Sequence, residues 1–377
     1  MIVLTIIVFV IILGILIFAH ELGHFLAAKS LGVRVEEFGF GFPPRLVRVF
    51  KRGDTEYTFN WIPVGGFVKM TGQSDFEVED QEKIKDDPKS FLNKKPWQRL
   101  IILCAGVGMN FALAAILLSI GFMIGLPAAV GPDMPAGAQV KDERIQVLLT
   151  DSGSPADEAG ITSGDTILAL NGSVPETVQG VVDYNTEHKG QTITITIERG
   201  DEILDKEVAL RADPPKGEGP LGISLAETAK VSFPWYLAIW QGIKSTGELT
   251  VEIIVAFGRL IGSLISAGQV SGEVAGPVGI AVLTGQVTKL GFVYILQFTA
   301  LLSINLAIIN ILPFPALDGG HILFLLVEKI RGGKTHQAAK VENIIHLIGF
   351  GLIFALLAAV TYRDVAKSWD KITGFFT

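Results

Sequence analysis

The sequence lacks charged residues over four long stretches. Only 18% of its 377 residues are charged, against about 25% in a typical soluble domain. No Asp, Glu, Lys or Arg occurs in residues 1–19, 100–132, 290–317 and 343–362. Because a bilayer core about 30 Å thick needs about 20 apolar residues of helix, these stretches predict about four membrane spans and exclude a purely soluble protein.

Cysteine and excess positive charge are also scarce. Cys104 is the only cysteine, so the chain has no internal disulfide. The net charge of −7 argues against a nucleic-acid partner, since binding to phosphates needs a basic surface. No basic residue precedes the first apolar run, so we expect a retained first span rather than a cleaved signal peptide.

The remaining charges predict the orientation of the chain. Segment 29–99 holds 13 Lys or Arg and 11 Asp or Glu, whereas segment 133–289 holds 11 and 21. Because cytoplasmic loops are enriched in Lys and Arg, we expect the first segment in the cytoplasm and the second outside. The basic loop 326–342 fits the cytoplasmic side, whereas the basic tail 363–377 falls on the outer side and fits less well.

Residues 131–228 predict a separate β-rich domain, because strand-like stretches alternate with turn residues. The words Ser154-Pro155-Ala156, Ala159-Gly160-Ile161, Gly164-Asp165 and Asn171-Gly172 resemble those of a bacterial PDZ domain. The resemblance implies a domain that binds an extended peptide as an added strand. A small β-rich module without a peptide ligand is the alternative.

Residues 229–289 have a different pattern. Charged residues recur there at helical spacing, and no uncharged run is long enough for a span. The segment therefore predicts amphipathic helices on the outer membrane surface.

The word His20-Glu21-Leu22-Gly23-His24 follows the first uncharged stretch. Two histidines four residues apart share one helix face and can bind one metal ion. Glu21, between them, can act on a metal-bound water as general base. Placing these groups among apolar residues costs several kcal/mol unless they are paired or bind a cation. The word therefore predicts a metal site.

The third protein ligand must come from another part of the chain. Asp318 is favoured because it follows two prolines, which break a helix, and precedes two glycines, which allow close backbone approach. His321 is a rival ligand, and His346 is more typical of a packed histidine.

The first word, the later word Asn-x-x-Pro-x-Pro-x-Leu-Asp-Gly-Gly at 310–320 and the intervening PDZ-like segment resemble the site-2 protease family of intramembrane zinc metalloproteases. Within this family, the chain looks like the bacterial RseP-type group. The resemblance implies that His20, His24 and Asp318 bind Zn²⁺ and that Glu21 is the catalytic acid/base.

The resemblance also implies that Asn310 and Asn305 lie near the active site. Another family word, Gly276-Pro277-Val278-Gly279-Ile280, has a possible role as a turn or a substrate gate. The best-known members carry two tandem PDZ domains, whereas this chain has length for one. That difference concerns the partner that regulates the protein and not the chemistry.

Segment 33–75 predicts a β-hairpin or sheet associated with the membrane. Gly65, Gly66 and Phe67 match a glycine pattern of the family and are candidate substrate-binding residues. An edge strand near the metal would hold a substrate extended by replacing its helical hydrogen bonds. A cytoplasmic hairpin that only packs is the alternative.

The expected fold is a polytopic α-helical membrane protein with about four spans, a membrane-associated β-sheet and an inserted extracytoplasmic PDZ domain. The expected segments are the first span 1–32, β segment 33–75, cytoplasmic linker 76–99, second span 100–130, PDZ domain 131–228, interfacial and gate segment 229–289, third span 290–325, cytoplasmic loop 326–342, fourth span 343–362 and tail 363–377.

The expected function is hydrolysis of single-span membrane proteins in or near their spans, in the bacterial inner membrane. By the resemblance, the substrates are membrane-anchored anti-sigma factors or signal-peptide remnants. Membrane lipid and a peptide ligand of the PDZ domain are further partners. A non-catalytic zinc-binding scaffold that displays a PDZ domain is the alternative.

Overall fold

The computed structural model describes residues 2–73, 87–130, 134–151, 153–200, 202–215, 218–267, 276–331 and 336–373. Residues 76–86 of the expected linker and 332–335 of the expected loop 326–342 therefore lie outside the described residues, as do 131–133, 268–275 and 374–377. The chain forms two compact units, residues 1–118, 242–288 and 295–377 in the first and residues 119–241 and 289–294 in the second.

Nine α-helices and eight strands are formed by the described residues. In chain order they are α1 (Ile2–Ser30), β1 (Val35–Arg52), β2 (Thr55–Met70), α2 (Pro96–Ile124), β3 (Leu126–Ala129), β4 (Gln139–Thr150), α3 (Pro155–Glu158), β5 (Thr166–Leu170), α4 (Val178–Glu187), β6 (Thr192–Arg199), β7 (Glu202–Ala209), β8 (Ile223–Ser232), α5 (Trp235–Ala267), α6 (Pro277–Leu290), α7 (Phe292–Ile311), α8 (Asp318–Arg331) and α9 (His336–Thr373).

Four of the described helices are long and apolar enough to cross a membrane, which agrees with the four uncharged stretches. They are α1, α2, α7 and residues Ile344–Ala366 of α9.

Two helices end before the expected boundaries of their spans. The helix of the second candidate span ends at Ile124, whereas 130 was expected, because Gly125 adopts a left-handed conformation (φ +120°) and the next residues form strand β3. The expected third span, 290–325, is two helices, since α7 ends at Ile311 before Pro313 and Pro315.

The expected cytoplasmic loop 326–342 is also largely helical. Helix α8 continues to Arg331 and α9 begins at His336. A buried ion pair stabilises this end of α8, in which the Arg99 guanidinium on α2 donates to both carboxylate oxygens of Glu328 at 3.0 Å.

The β segment after α1 folds back on itself. The first half of β1 pairs with two parts of β2, so that Phe38 lies opposite both Val68 and Tyr57. The second half of β1 pairs with the start of β2, and the tight turn falls at Gly53-Asp54. Two long strands therefore form four neighbouring strand segments.

One face of this sheet is aromatic and packs on α1. The Phe38 ring lies 5.9 Å from the Phe18 ring and 5.3 Å from the Phe25 ring, measured between centroids. Phe40 contacts the open side of Gly14. The sheet therefore lies alongside a candidate membrane span.

The other face of the sheet carries ion pairs. Arg45 donates to Glu37 at 2.8 Å and to Glu56 at 3.0 Å. The hydrogen bond from Arg48, together with the positive charge of Arg45, lowers the pKa of the Glu56 carboxyl from its ordinary value.

The second unit contains a six-stranded sheet in the order β3-β8-β4-β5-β6-β7. Its apolar core includes Ile193, Ile195 and Ile197 on β6. Buried Asp165 accepts two hydrogen bonds of 2.7 Å from Arg199, so the Gly164-Asp165 word has a structural role. The sheet begins at Leu126 and ends at Ser232, outside the expected bounds 131–228, because β3 pairs with β8.

The described residues of segment 229–289 form the end of β8, one long helix, α5, and the shorter α6. Within the first unit, Leu249, Ile253 and Phe257 of α5 pack against a buried cluster that includes Ala114 of α2 and Ile304 of α7. The position of this segment at the membrane surface stays a prediction.

The structure gives the word at 276–280 a physical role. It begins α6, and the buried Asp364 carboxylate of α9 accepts hydrogen bonds of 2.8 Å from the backbone amides of Gly276 and Gly279. Gly276 has no room for a side chain, because a Cβ there would lie 2.6 Å from Val360. At its other end α6 packs Gly285 on Thr5 of α1. The Asp364 side chain therefore caps the N-terminus of α6 and holds α6 on α9.

We predict that Asp364→Ala lowers the free energy of unfolding by about 2 kcal/mol, since it removes a cap and leaves buried amides without an acceptor. Asp364→Asn keeps an acceptor and should lose less. Thermal unfolding of the full chain in detergent measures both, with the exposed-site variant Glu248→Gln as control. Equal unfolding midpoints for Asp364→Ala and the unmodified protein would contradict the capping role.

Candidate metal centre

Helix α1 presents His20 and His24 one turn apart. Their Nε2 atoms lie 3.2 Å from each other, and their side chains are only 12% and 9% exposed. Because the helix repeats every 3.6 residues, positions i and i+4 bring the two rings onto one face. The sequence prediction for this pair agrees with the geometry.

Asp318, the first residue of α8, meets the two imidazoles. Its Oδ2 atom lies 3.2 Å from His20 Nε2 and 3.3 Å from His24 Nε2. The turn that brings it there depends on two glycines. A Cβ on Gly319 would overlap the carbonyls of Ile311 and Leu312, and one on Gly320 would overlap that of Phe314.

The distances fit a tetrahedral metal ion. With metal–ligand bonds of about 2.0 Å, neighbouring ligand atoms of a tetrahedron lie about 3.3 Å apart, and the three distances here are 3.2, 3.2 and 3.3 Å. Two imidazole nitrogens and one carboxylate oxygen are a ligand set that Zn²⁺ prefers in catalytic sites, where the fourth position holds water. In the described part of the chain, no other group of three such side chains brings its ligand atoms together.

Two contacts from α2 orient the histidines. His24 Nδ1 lies 2.8 Å from the backbone oxygen of Ile102 and donates to it, which leaves Nε2 available for a metal. Gly106 allows α2 to approach, because a Cβ there would lie 2.8 Å from His20 Cε1 and also contact His24.

Asn110 of α2 is a site residue that the sequence analysis missed. It is fully buried, and its amide lies 3.2 Å from His20 Nδ1. The nitrogen faces His20 while the amide oxygen has no hydrogen-bond partner. Turning the amide by 180° exchanges the two atoms, and the oxygen then accepts the Nδ1 proton that His20 carries when Nε2 binds metal. The sequence signal that could have identified Asn110 is that it is the one amide side chain in the uncharged stretch 100–132.

Glu21 faces the sheet and is not a member of the ligand group. It lies against Gly66 of β2, where a Cβ would be 3.2 Å from Glu21 Cγ and 3.0 Å from Ile17 Cγ2. The structure therefore brings a backbone strand next to the candidate general base.

The other candidate substrate-binding residues lie at different positions. Gly65 has φ +99°, which favours glycine, and the Phe67 ring packs over Gly39 within the sheet. Asn305 donates to the Leu301 carbonyl of its own helix at 2.9 Å, and Asn310 lies partly buried in the last turn of α7. Their contact with substrate stays a prediction.

The two rival third ligands lie outside the ligand group. The rings of His321 and His346 stack at 4.0 Å between centroids. His346 Nδ1 accepts a hydrogen bond of 3.0 Å from the backbone amide of Ala316. The geometry therefore favours Asp318 over both histidines.

We predict that Asn110→Leu lowers zinc affinity by about 10- to 100-fold, the usual effect of losing a partner of a metal-binding histidine. Asn110→Asp keeps an oxygen acceptor for His20 and should bind zinc far more tightly than Asn110→Leu. Competition with a chelator in detergent measures these affinities. Unchanged zinc affinity in Asn110→Leu would exclude the assigned role.

Comparisons with known proteins give a consistent result. A family model described as "Peptidase family M50" matches residues 8–356. The chain is 32% identical to "Regulator of sigma-W protease RasP" of Bacillus subtilis, over 96% of this chain and 98% of that protein. It is 30% identical to "Zinc metalloprotease RasP" of Geobacillus kaustophilus, over the same shares.

A solved structure matches part of the chain. The PDZ domain of an SdrC-like protein from Listeria monocytogenes is 27% identical and covers 23% of this chain and 92% of that chain, with a TM-score of 0.21. A score of this size does not establish a shared fold. The family match, which spans nearly the whole chain, establishes that this protein belongs to peptidase family M50.

Proposed function

We propose that this protein is an intramembrane zinc metalloprotease that hydrolyses peptide bonds in or near the spans of single-span membrane proteins. The observation that carries the proposal is the triangle of His20 Nε2, His24 Nε2 and Asp318 Oδ2, in which both histidines lie on α1, a helix of membrane-spanning length. Zinc, when bound, polarises water and the scissile carbonyl. Family membership and the names of the relatives support both the metal and the activity.

Glu21 supplies the proton transfers. It lies next to the ligand histidines but outside the ligand group, so its carboxylate remains available. We assign it to take a proton from the attacking water and to give it to the leaving amine nitrogen.

The sheet supplies a place for the substrate backbone. A helical substrate hides its carbonyls in its own hydrogen bonds, so cleavage requires an extended conformation. Segment 66–70 of β2 pairs with 35–40 on one edge, and its Gly66 lies against Glu21. Among the described strands, no third one pairs with 66–70. We propose that substrate adds to this edge beside Gly66.

The charge distribution supports the cellular arrangement. We propose that the protein is a multi-pass protein of the bacterial inner membrane, in contact with lipid, with a PDZ domain outside the cytoplasm. The name of the Bacillus subtilis relative, a regulator of sigma-W protease, supports anti-sigma factors as substrates. We propose that the PDZ domain binds the trimmed outer end of the substrate or filters by size.

We predict that Glu21→Gln binds zinc as the unmodified protein does and cleaves a tagged single-span substrate at least about 100-fold more slowly, since it loses the general base. Zinc stoichiometry and cleavage rate are measured on the same detergent preparation. Cleavage at the unmodified rate with zinc bound would contradict the mechanism. A protein that binds zinc but never cleaves such substrates would favour the scaffold alternative.

We predict that Asp318→Ala loses bound zinc whereas His321→Ala retains it, because among the described residues only Asp318 joins the two histidines in a group with metal-binding geometry. Metal analysis after gel filtration measures both variants. Zinc loss confined to His321→Ala would overturn the assignment of the third ligand.

A further inference from the structure

The loop between α7 and α8, residues 312–317, carries Asp318 at its end. Prolines 313 and 315 have no backbone N–H, so the loop has few amides with which to fix its shape. The Phe314 amide donates to Leu312 at 2.7 Å, and the Leu317 amide donates to Phe314 at 3.2 Å. The Ala316 amide instead donates outside the loop, to His346 on α9.

Ala316 has an unusual backbone conformation. Its φ is +75°, in the left-handed region that residues with a side chain disfavour. Ala316 lies two residues before the metal ligand, so its conformation decides where the Asp318 carboxylate points. A strained backbone conformation of this kind persists only when contacts from the surrounding structure hold it.

Helix α9 contacts the loop at two successive positions. His346 accepts the Ala316 amide at 3.0 Å. One turn later, Gly349 lies against Pro315, and a Cβ there would come within 2.7 Å of the Pro315 oxygen. Because positions 346 and 349 share one helix face, α9 forms a surface on which residues 315–316 rest.

We propose that His346 is a positioning residue for the third zinc ligand, an inference that rests on the proposed metal centre. The hydrogen bond requires an unprotonated Nδ1, so the ring proton is on Nε2. The ring is buried and stacks on His321 at 4.0 Å with planes 15° apart, which fixes its orientation. His346 acts through Ala316 and does not touch the metal.

The test compares His346→Leu with His346→Asn in the full-length protein. Leu fills the site but accepts no hydrogen bond, whereas the Asn side-chain oxygen lies close to where Nδ1 was. Leu347→Ala, at an exposed position on the same helix, is the matched control. The measurements are the rate of zinc loss to a chelator and the visible absorption of the Co²⁺-substituted protein, which reports ligand geometry.

We expect His346→Leu to lose zinc about tenfold faster or more and to change the Co²⁺ spectrum. His346→Asn should restore both values toward those of the unmodified protein, and Leu347→Ala should leave both unchanged. Zinc loss at the unmodified rate in His346→Leu would overturn the proposal. So would equal losses in the Leu and Asn variants, because that result assigns the effect to ring packing.

The outcomes separate this inference from the proposed function. Zinc retention is measured without substrate, so a protein that cleaves nothing but shows the Leu–Asn difference would support His346 and contradict the protease function. An unmodified protein that binds no zinc would overturn both.

Discussion

The convergence of two imidazole nitrogens and one carboxylate oxygen is the interaction on which the rest of the structure depends. His20 and His24 lie on α1, a helix of membrane-spanning length, and the Asp318 carboxylate meets them there. Polar groups without partners are costly in such surroundings. A divalent cation satisfies all three ligand atoms at once, and their separations match a tetrahedral ion. The close contacts around the centre have one common effect: they bring α1, α2 and the start of α8 near enough for these atoms to meet.

Small residues make that approach possible. The missing side chains of Gly106 and Gly319 leave room for the histidine rings and for the end of α7, and Gly66 does the same for strand β2 at Glu21. The hydrophobic effect contributes little to the association of helices within a membrane. Close packing at small residues therefore supplies more of the stability there. The glycines near the centre therefore determine geometry as much as the ligands determine chemistry.

The sequence predicted the parts of the site that follow from local periodicity. His20, Glu21 and His24 are neighbours on one helix, so their arrangement follows from helix geometry alone. Local helix geometry left Asp318 as one of three candidate ligands. The turn after α7 is what brings its carboxylate to the histidines, and that turn is not a local pattern of the sequence. Asn110 and the contact of His346 with Ala316 were missed, since no local pattern relates residues 90 and 30 positions apart. The folded-back sheet was likewise underestimated, because register between distant strand segments depends on packing against α1.

Hydrolysis within a membrane needs both an extended substrate and water. The sheet has one face suited to packing on a membrane span and one face suited to contact with water. Its aromatic face, with Phe38 and Phe40, packs on α1. Its other face carries the Arg45–Glu37 and Arg45–Glu56 ion pairs, which favour contact with water over contact with lipid. Strand alternation produces this division without any further element. A two-faced sheet can therefore lie alongside a membrane span, keep one side polar and still bring backbone groups to Glu21.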